Sequence, residues 1–561
     1  MKSRFATTLA LASCLVLVTG CHTAASRQRA ALIAELKAIN PADPQKFPLA
    51  ATPVIDVHTH NFNARDLPVR NIALGRRDVY PPWTWLVTDG AAELLASTLV
   101  DATPPEKIAT SNNIAVPSLG SLTNRAPYKA VQKALEEPQP APPSNEIPAP
   151  STDKTNVSLS LKERVTLKAI GKAVGHQPPK STARAKKILA WIHPFLDDLT
   201  SSYAELIRQF ELENGTNVQF RISHMMDMGP TYGQKEDVAG LRDFENEEIP
   251  AIENLQHLAS SHLTYFVAYN PFRDNLGTNE ALRIVQQAIT NHHAYGVKVY
   301  PAAGYRPFSN RIPRRPRKFL FFSSGQPGKQ WDARYMKNGV RISNEELDDR
   351  LLGLLRWCAS NQIPVFAHCA TGEMQAQKDY GEQMAGAHWW RELLETKGGQ
   401  FPELKNLRLA LGHAGGPDYW FGNPVKNSWG NDVYHLCTHY PNIYCEVGDL
   451  DDVFDDRKQA AFAKKMKELC NPAAPPGDYD FHDKIMYGSD WYMPITGDRH
   501  DFLRRFQQIF LLDELKPYYK KFFLANALAY LDAAKRITNP DFPIDPSVQS
   551  SLQHLLSDSN H

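Results

Sequence analysis

The sequence has little excess charge of either sign: 62 Lys and Arg stand against 61 Asp and Glu, a net charge of +1. Such a balance offers no global basic field to draw in nucleic acid, and there is no acidic tail. Cysteine is scarce as well. Cys14 and Cys21 fall in the first 21 residues; Cys358, Cys369, Cys437, Cys445 and Cys470 are odd in number and irregularly spaced, with no C-x-x-C. That excludes a disulfide framework and leaves room for one bridge in an oxidising compartment. Beyond the N-terminus there is no run of ~20 consecutive apolar residues, the length a membrane-spanning helix needs. No internal repeat is apparent. What is present, 42% hydrophobic and 22% charged residues over 561, is the composition of a soluble globular protein with one large elaborated domain or two to three ordinary ones. The 41 prolines cluster and predict long irregular loops.

Residues 1–20 read as a targeting signal. Lys2 and Arg4 form a positive n-region and Phe5 to Val18 a short apolar stretch. Val18-Thr19-Gly20-Cys21 then resembles a bacterial lipobox, with Cys21 as the lipidation site. Position 22 is His rather than Asp, which by resemblance to Gram-negative lipoproteins implies sorting to the outer membrane. The expectation is a lipid-anchored protein of the bacterial periplasm or cell surface, held in the membrane through Cys21.

Residues 21–50 read as a tether and a short helix, Ala30 to Ile39. Residues 61–215 read as a mainly helical cap interrupted by an exposed proline-rich loop over 137–152, with helical spacing at Ala91–Val100, Leu159–Val174 and Ala183–Asn214. Residues 51–60 and 216–540 alternate short apolar strands with helices, as parallel βα units require. The strands are Val54–Val57, Val218–Ser223, Thr264–Tyr269, Gly296–Pro301, Ile363–His368, Leu407–His413, Asn442–Val447 and Lys484–Tyr487. Residues 302–343 form a second insertion, helices near 500–512 and 516–536 close the fold, and 541–561 is a C-terminal tail. The predicted class is α/β: a (β/α)8 TIM-type barrel with a large insertion after strand 1.

Polar residues recur at the C-terminal strand ends, where such a barrel holds its active site. Strand one supplies His58 and His60, strand four Lys298, strand five His368, strand six His413 and strand eight Asp490. Residues i and i+2 of an extended chain point to one side, so His58 and His60 share a target. Unpaired buried polar groups cost stability, and six collecting at one rim of five strands point to a metal site. Weaker candidates for substrate contact are Tyr305, Arg306, Glu373, Asp418 and Trp491. The basic run Arg311, Arg314, Arg315, Arg317 and Lys318 reads as a solvated loop, and Cys369 as packing.

Five stretches carry a family resemblance: Ile55-Asp56-Val57-His58-Thr59-His60, Gly296-Val297-Lys298-Val299-Tyr300-Pro301, Phe366-Ala367-His368, Leu411-Gly412-His413-Ala414-Gly415-Gly416 and Tyr487-Gly488-Ser489-Asp490-Trp491, with Asn526-Ala527 in the last helix. The chain resembles the amidohydrolase superfamily, in its amidohydrolase-related (amidohydrolase 2) branch, which also holds decarboxylases of the aminocarboxymuconate-semialdehyde kind. The resemblance spans 53–60 and 216–535 and omits both insertions. It implies a divalent metal, Zn²⁺ with Mn²⁺, Fe²⁺ and Co²⁺ as alternatives, held by His58, His60 and His368 with Asp490 as a fourth ligand. Asp490 then acts as general base, and His413 orients substrate or water or becomes a ligand in a two-metal site. Lys298 is either a cation for an anionic substrate or, if carboxylated, the bridge between two ions; the branch more often holds one. The expected activity is hydrolysis of an amide, lactone or ester by metal-activated water. The alternatives are non-oxidative decarboxylation of a small carboxylic acid and, from another class, a non-catalytic surface binding lipoprotein. The expected partner is a small-molecule substrate, with no nucleic acid.

Overall fold

A computed structural model describes residues 26–67, 103, 195 and 197–560, except 44, 211–217, 233–241, 260–261, 275–278, 311–341, 343, 372–379, 422–427, 471–476, 492 and 494–498. The signal segment, Cys21, the proline-rich loop, most of the 61–215 cap, the basic run and Glu373 lie outside the described residues.

Eight strands pair in sequence order, all parallel: β1 (Val54–Thr59), β2 (Val218–His224), β3 (Leu263–Tyr269), β4 (Gly296–Val299), β5 (Val365–Ala367), β6 (Leu409–Leu411), β7 (Ile443–Glu446) and β8 (Ile485–Met486). The sheet closes on itself. Thr59 bridges Trp491, the Val57 N–H donates to the Tyr487 carbonyl at 3.2 Å, and the Asp490 N–H donates to the His58 carbonyl at 2.7 Å. The (β/α)8 barrel expected from the alternating pattern is the observed fold.

The helices outside the barrel are α1 (26–38), α2 (Leu199–Phe210), α3 (Ile249–Leu258), α4 (Glu280–Asn291), α5 (Asn344–Asn361), α6 (Ala387–Lys397), α7 (Trp429–His439), α8 (Asp456–Cys470), α9 (Arg499–Phe510) and α10 (Pro546–Asn560). Helix α2 is the described part of the helical pattern read at 183–214. Two of these helices, α7 and α8, were not anticipated. The expected C-terminal tail is corrected: residues 546–560 form α10, whose Val548, Leu552 and Leu555 are buried with Ile55, Val57, Phe220, Ile222, Phe366 and Met486. This second core fills the barrel interior and is stoppered by the C-terminal helix, while the larger core lies between strands and surrounding helices. Among the described residues no helix is long and apolar enough to cross a membrane.

Strand β1 departs from regular pairing where it matters. Asp56 pairs with Arg221 and Thr59 with Ser223, so β1 spends one more residue than β2 over this step. Such a bulge shifts the side-chain alternation. Ile55 and Val57 pack into the barrel interior, and His58 and His60 beyond them join one polar cluster. Strict alternation could not have put both Val57 and His58 inside.

Candidate metal centre

The cluster is built by hydrogen bonds that decide which imidazole nitrogen carries the proton. A backbone carbonyl only accepts, so a ring nitrogen bonded to one must be N–H. His60 Nδ1 lies 2.9 Å from the His224 carbonyl, and His413 Nδ1 lies 2.9 Å from the Gly448 carbonyl. His58 Nδ1 lies 3.0 Å from Glu446 Oε1, an oxygen that also accepts the His413 backbone N–H at 2.7 Å. Each of these rings therefore presents a bare Nε2. His413 Nε2 accepts from His368 Nδ1 at 3.0 Å, which leaves His368 Nε2 bare, buried and without a partner.

Those lone pairs converge. His58 Nε2 and His60 Nε2 are 3.2 Å apart, and Asp490 Oδ1 lies 3.1 Å from the first and 3.2 Å from the second. Ligand atoms of His58, His413 and Asp490 all fall within 4.8 Å of one another. Two bare imidazole nitrogens and a carboxylate oxygen repel at this spacing unless positive charge lies among them. Ligands of one tetrahedral zinc ion sit about 3.3 Å apart at the usual bond lengths. The donor set therefore fits a divalent ion of the zinc or manganese type.

Three buried ionisable groups surround this point. Burial pushes the Glu446 carboxyl up to about 8, against the backbone N–H groups of His413 and Gly448 that favour its charged form. Burial brings the Lys298 ammonium down to about 7, opposed by Asp490 and Glu446; its Nζ stands 3.2 Å from His58 Nε2 and 4.2 Å over the Phe366 ring. Burial likewise raises the Asp490 carboxyl above the ordinary range, opposed by His413 and Lys298. Burial and then the Lys298 charge hold the His60 imidazole down at about 3 and His58 well below its usual value. Both rings are neutral, the form that binds metal. The neutral histidines and the Asp490 carboxylate are the groups a cation at the centre would favour.

The backbone is strained at the same place. Asp490 (φ 53°), His413 (φ 57°) and Ala414 (φ 46°) adopt left-handed conformations that residues with a Cβ rarely take. Strain of this kind clusters at functional sites, and here it turns two of the six side chains inward.

All six predicted residues, His58, His60, Lys298, His368, His413 and Asp490, are buried and joined by these contacts. Tyr305 and Arg306, read as weak candidates for substrate contact, are buried and engaged with neighbouring groups. The Tyr305 hydroxyl accepts from the Tyr300 N–H and donates to the Tyr269 carbonyl; Arg306 stacks 4.2 Å over Trp389 and donates to the Gln383 and Ser309 carbonyls. Trp491 pairs with Thr59 in closing the barrel, and its indole donates to Gln209 at 2.8 Å. Asp418 is exposed. Sequence reasoning missed Glu446 and His224. Each is the polar last residue of a strand; Glu446 ends a largely apolar one, the same signal that singled out His368 and His413, whereas His224 ends a strand that already alternates with Gln219, Arg221 and Ser223. His224 donates from Nε2 to the Val57 carbonyl at 2.8 Å, and its carbonyl fixes His60.

A protein-family model described as Amidohydrolase matches residues 317–532. No curated protein matches the chain. Among solved structures, 5-carboxyvanillate decarboxylase from Novosphingobium aromaticivorans, complexed with manganese and 4-hydroxy-3-methoxy-5-nitrobenzoic acid, is similar at 12% identity, covering 62% of this chain and 84% of its own, with a TM-score of 0.37. A protein described as a probable 2-pyrone-4,6-dicarboxylic acid hydrolase from Acinetobacter baumannii gives 14%, 58%, 88% and 0.32. An amidohydrolase 2 from Bifidobacterium longum subsp. infantis gives 16%, 60%, 85% and 0.26.

Proposed function

We propose that this chain, whose residues 317–532 belong to the amidohydrolase family of metal-dependent enzymes, is a hydrolase of an amide, lactone or ester carbonyl. The observation that carries the reading is the convergence of the bare Nε2 atoms of His58 and His60 on Asp490 Oδ1, with their Nδ1 atoms committed elsewhere. His58, His60, His368 and Asp490 would hold one divalent ion. When bound, that ion supplies Lewis acidity and a water acidified toward pH ~7.

The chain's own residues do the rest. Asp490, raised by burial, takes the proton of the attacking water at a carboxylate oxygen and returns it to the leaving nitrogen or oxygen. His413 has Nδ1 committed to the Gly448 carbonyl and Nε2 accepting from His368 Nδ1; it would orient the substrate by exchanging that second contact for one to the substrate. Glu446 holds the His58 ring in the ligand tautomer. Burial of the rim keeps bulk water from weakening these interactions.

The same pocket supports a second reading, because Lys298 places a buried cation beside the centre. A carboxylate held by Lys298 would be lost as CO2, with Asp490 or His413 supplying the proton. Metal analysis and turnover of the purified full chain test both. His58→Ala should lose the metal; Asp490→Asn should retain most of it and lose at least about 100-fold in kcat. Full turnover by metal-free protein would overturn the mechanism. Evolution of CO2 from aromatic or enoic acids, with esters, lactones and amides untouched, would replace hydrolysis by decarboxylation. Failure on the whole panel by metal-loaded protein would leave the binding-protein reading.

We also infer a lipid-anchored protein of the periplasm or cell surface, supported by Val18-Thr19-Gly20-Cys21. Cys21→Ser should abolish incorporation of labelled palmitate and move the protein from the membrane to the soluble fraction. Unchanged labelling would sink the anchor.

A further inference from the structure

We propose a second metal site, for zinc, at the end of the barrel opposite the catalytic rim, formed by Glu253, His257 and His293. Glu253 and His257 are four residues apart on α3 and so lie on one helix face. The chain leaving α4 brings two more imidazoles to the same carboxylate. His293 Nδ1 is 2.9 Å from Glu253 Oε1, and His292 Nδ1 is 2.8 Å from Glu253 Oε2. Ligand atoms of Glu253, His257 and His293 all lie within 4.8 Å of one another. These residues precede β4, whose four residues span on the order of 13 Å toward the rim that carries Lys298.

Two features separate this group from ordinary surface ion pairs. His293 has φ 58°, and the Ala294 N–H donates back to the Ala288 carbonyl at 2.9 Å. This is the helix-ending position that glycine normally fills. A metal ligand there would give the strain a purpose. The other feature is Asp545 at the start of α10, whose Oδ2 lies 2.5 Å from His257 Nδ1. A carboxylate on one ring nitrogen leaves Nε2 as the ligand atom and fixes the ring, the arrangement that supports histidines on zinc. Two imidazoles and a carboxylate suit zinc rather than calcium or magnesium, which take oxygen ligands. His292 or water completes the fourth position. The ion would tie α3, the α4–β4 turn and the first turn of α10 into one unit.

The test uses the full chain at buffered micromolar free zinc, with bound zinc counted by mass spectrometry. The double variant His257→Ala/His293→Gly should hold one zinc fewer than wild type with unchanged turnover. Glycine suits the left-handed position, so His293→Gly relaxes the backbone while it removes the ligand. In metal-stripped protein, added zinc should raise the unfolding temperature by a few degrees in His58→Ala, and not when the double substitution is added to His58→Ala. Equal zinc content in wild type and double variant, or an equal zinc-dependent rise, would overturn the site. Because His58→Ala removes only the catalytic ligand, this outcome is separate from that of the proposed hydrolase.

Discussion

At the residue scale the proposed centre depends on a side chain outside the proposed ligand set. Glu446 Oε1 accepts from both the His58 ring and the His413 backbone N–H, and Oε2 accepts from the Gly448 N–H. One carboxylate thus fixes a ligand's tautomer and the left-handed turn that aims His413. Glu446→Gln keeps one acceptor oxygen but sets an amide NH2 against the Gly448 N–H. We expect a fall of about 10–100-fold in kcat/KM or metal affinity, read by steady-state kinetics with metal content measured on the same samples. Wild-type values for both would remove Glu446 from the site. Gly488→Ala should reproduce the loss by another route, since a Cβ there would run into the Glu446 carboxylate. The six polar strand-end residues were legible because each interrupts an apolar run at the expected rim. Glu446 carries the same signal within Ile443-Tyr444-Cys445-Glu446-Val447 and was passed over as strand interior. Tyr305 and Arg306 show what such spacing does not encode: both are engaged with neighbouring backbone carbonyls. Nearness to a strand end says nothing about which carbonyls a side chain finds.

At the element scale, apolar runs located the strands well and their ends less well. The predicted Ile363–His368 and Leu407–His413 are three-residue strands, Val365–Ala367 and Leu409–Leu411. Beyond them the His368 N–H still donates to the Val299 carbonyl at 3.0 Å, whereas at His413 the chain turns into a left-handed conformation, a tertiary demand that no local propensity encodes. Helix α10 was legible and missed. Asp545-Pro546 is a cap followed by proline at the first helical position, and Val548, Leu552, Leu555 and Leu556 have helical spacing, but serines obscure them. Its cap yields a pH prediction. Burial raises the Asp545 carboxyl, but hydrogen bonds from Ser547 and Val548 and the His257 charge outweigh it and hold the group below its usual 3.8. A carboxyl depressed in the folded state adds stability above its unfolded pKa, and that stability is lost as pH falls through the folded value. Asp545→Asn keeps the shape and removes the charge. In chelator-treated protein it should cost about 0.5–1 kcal/mol at pH 7 and nearly nothing below pH 3, by urea unfolding. A difference that did not shrink in acid would assign the effect to shape.

At the scale of the whole molecule the two ends of the barrel do different work. The rim where strands end carries His58, His60, His368, His413, Asp490 and the strained turns at His413 and Asp490; at the other end α10 closes an apolar interior, with the Glu253, His257 and His293 cluster outside it. In this fold chemistry sits at the first end and stability at the second. The division also explains what composition could not reveal. Nothing in residues 541–561 as a string shows that they stopper a barrel whose first strand begins some 490 residues earlier; only the closed topology brings them together. Leu552 is fully buried in the interior core that includes Ile55 and Phe220. Leu552→Ala removes several methylenes' worth of contact from a site hemmed in by strands, with little freedom to collapse. We expect a loss of about 2–5 kcal/mol in urea unfolding, the range for leucine truncations in packed cores. Because the defect lies away from the rim, metal content and kcat measured well below the unfolding transition should stay at wild-type levels. A proportionate loss of metal would mean that the two ends are mechanically coupled through the interior residues between them, and the separation of chemistry from stability would fail for this barrel.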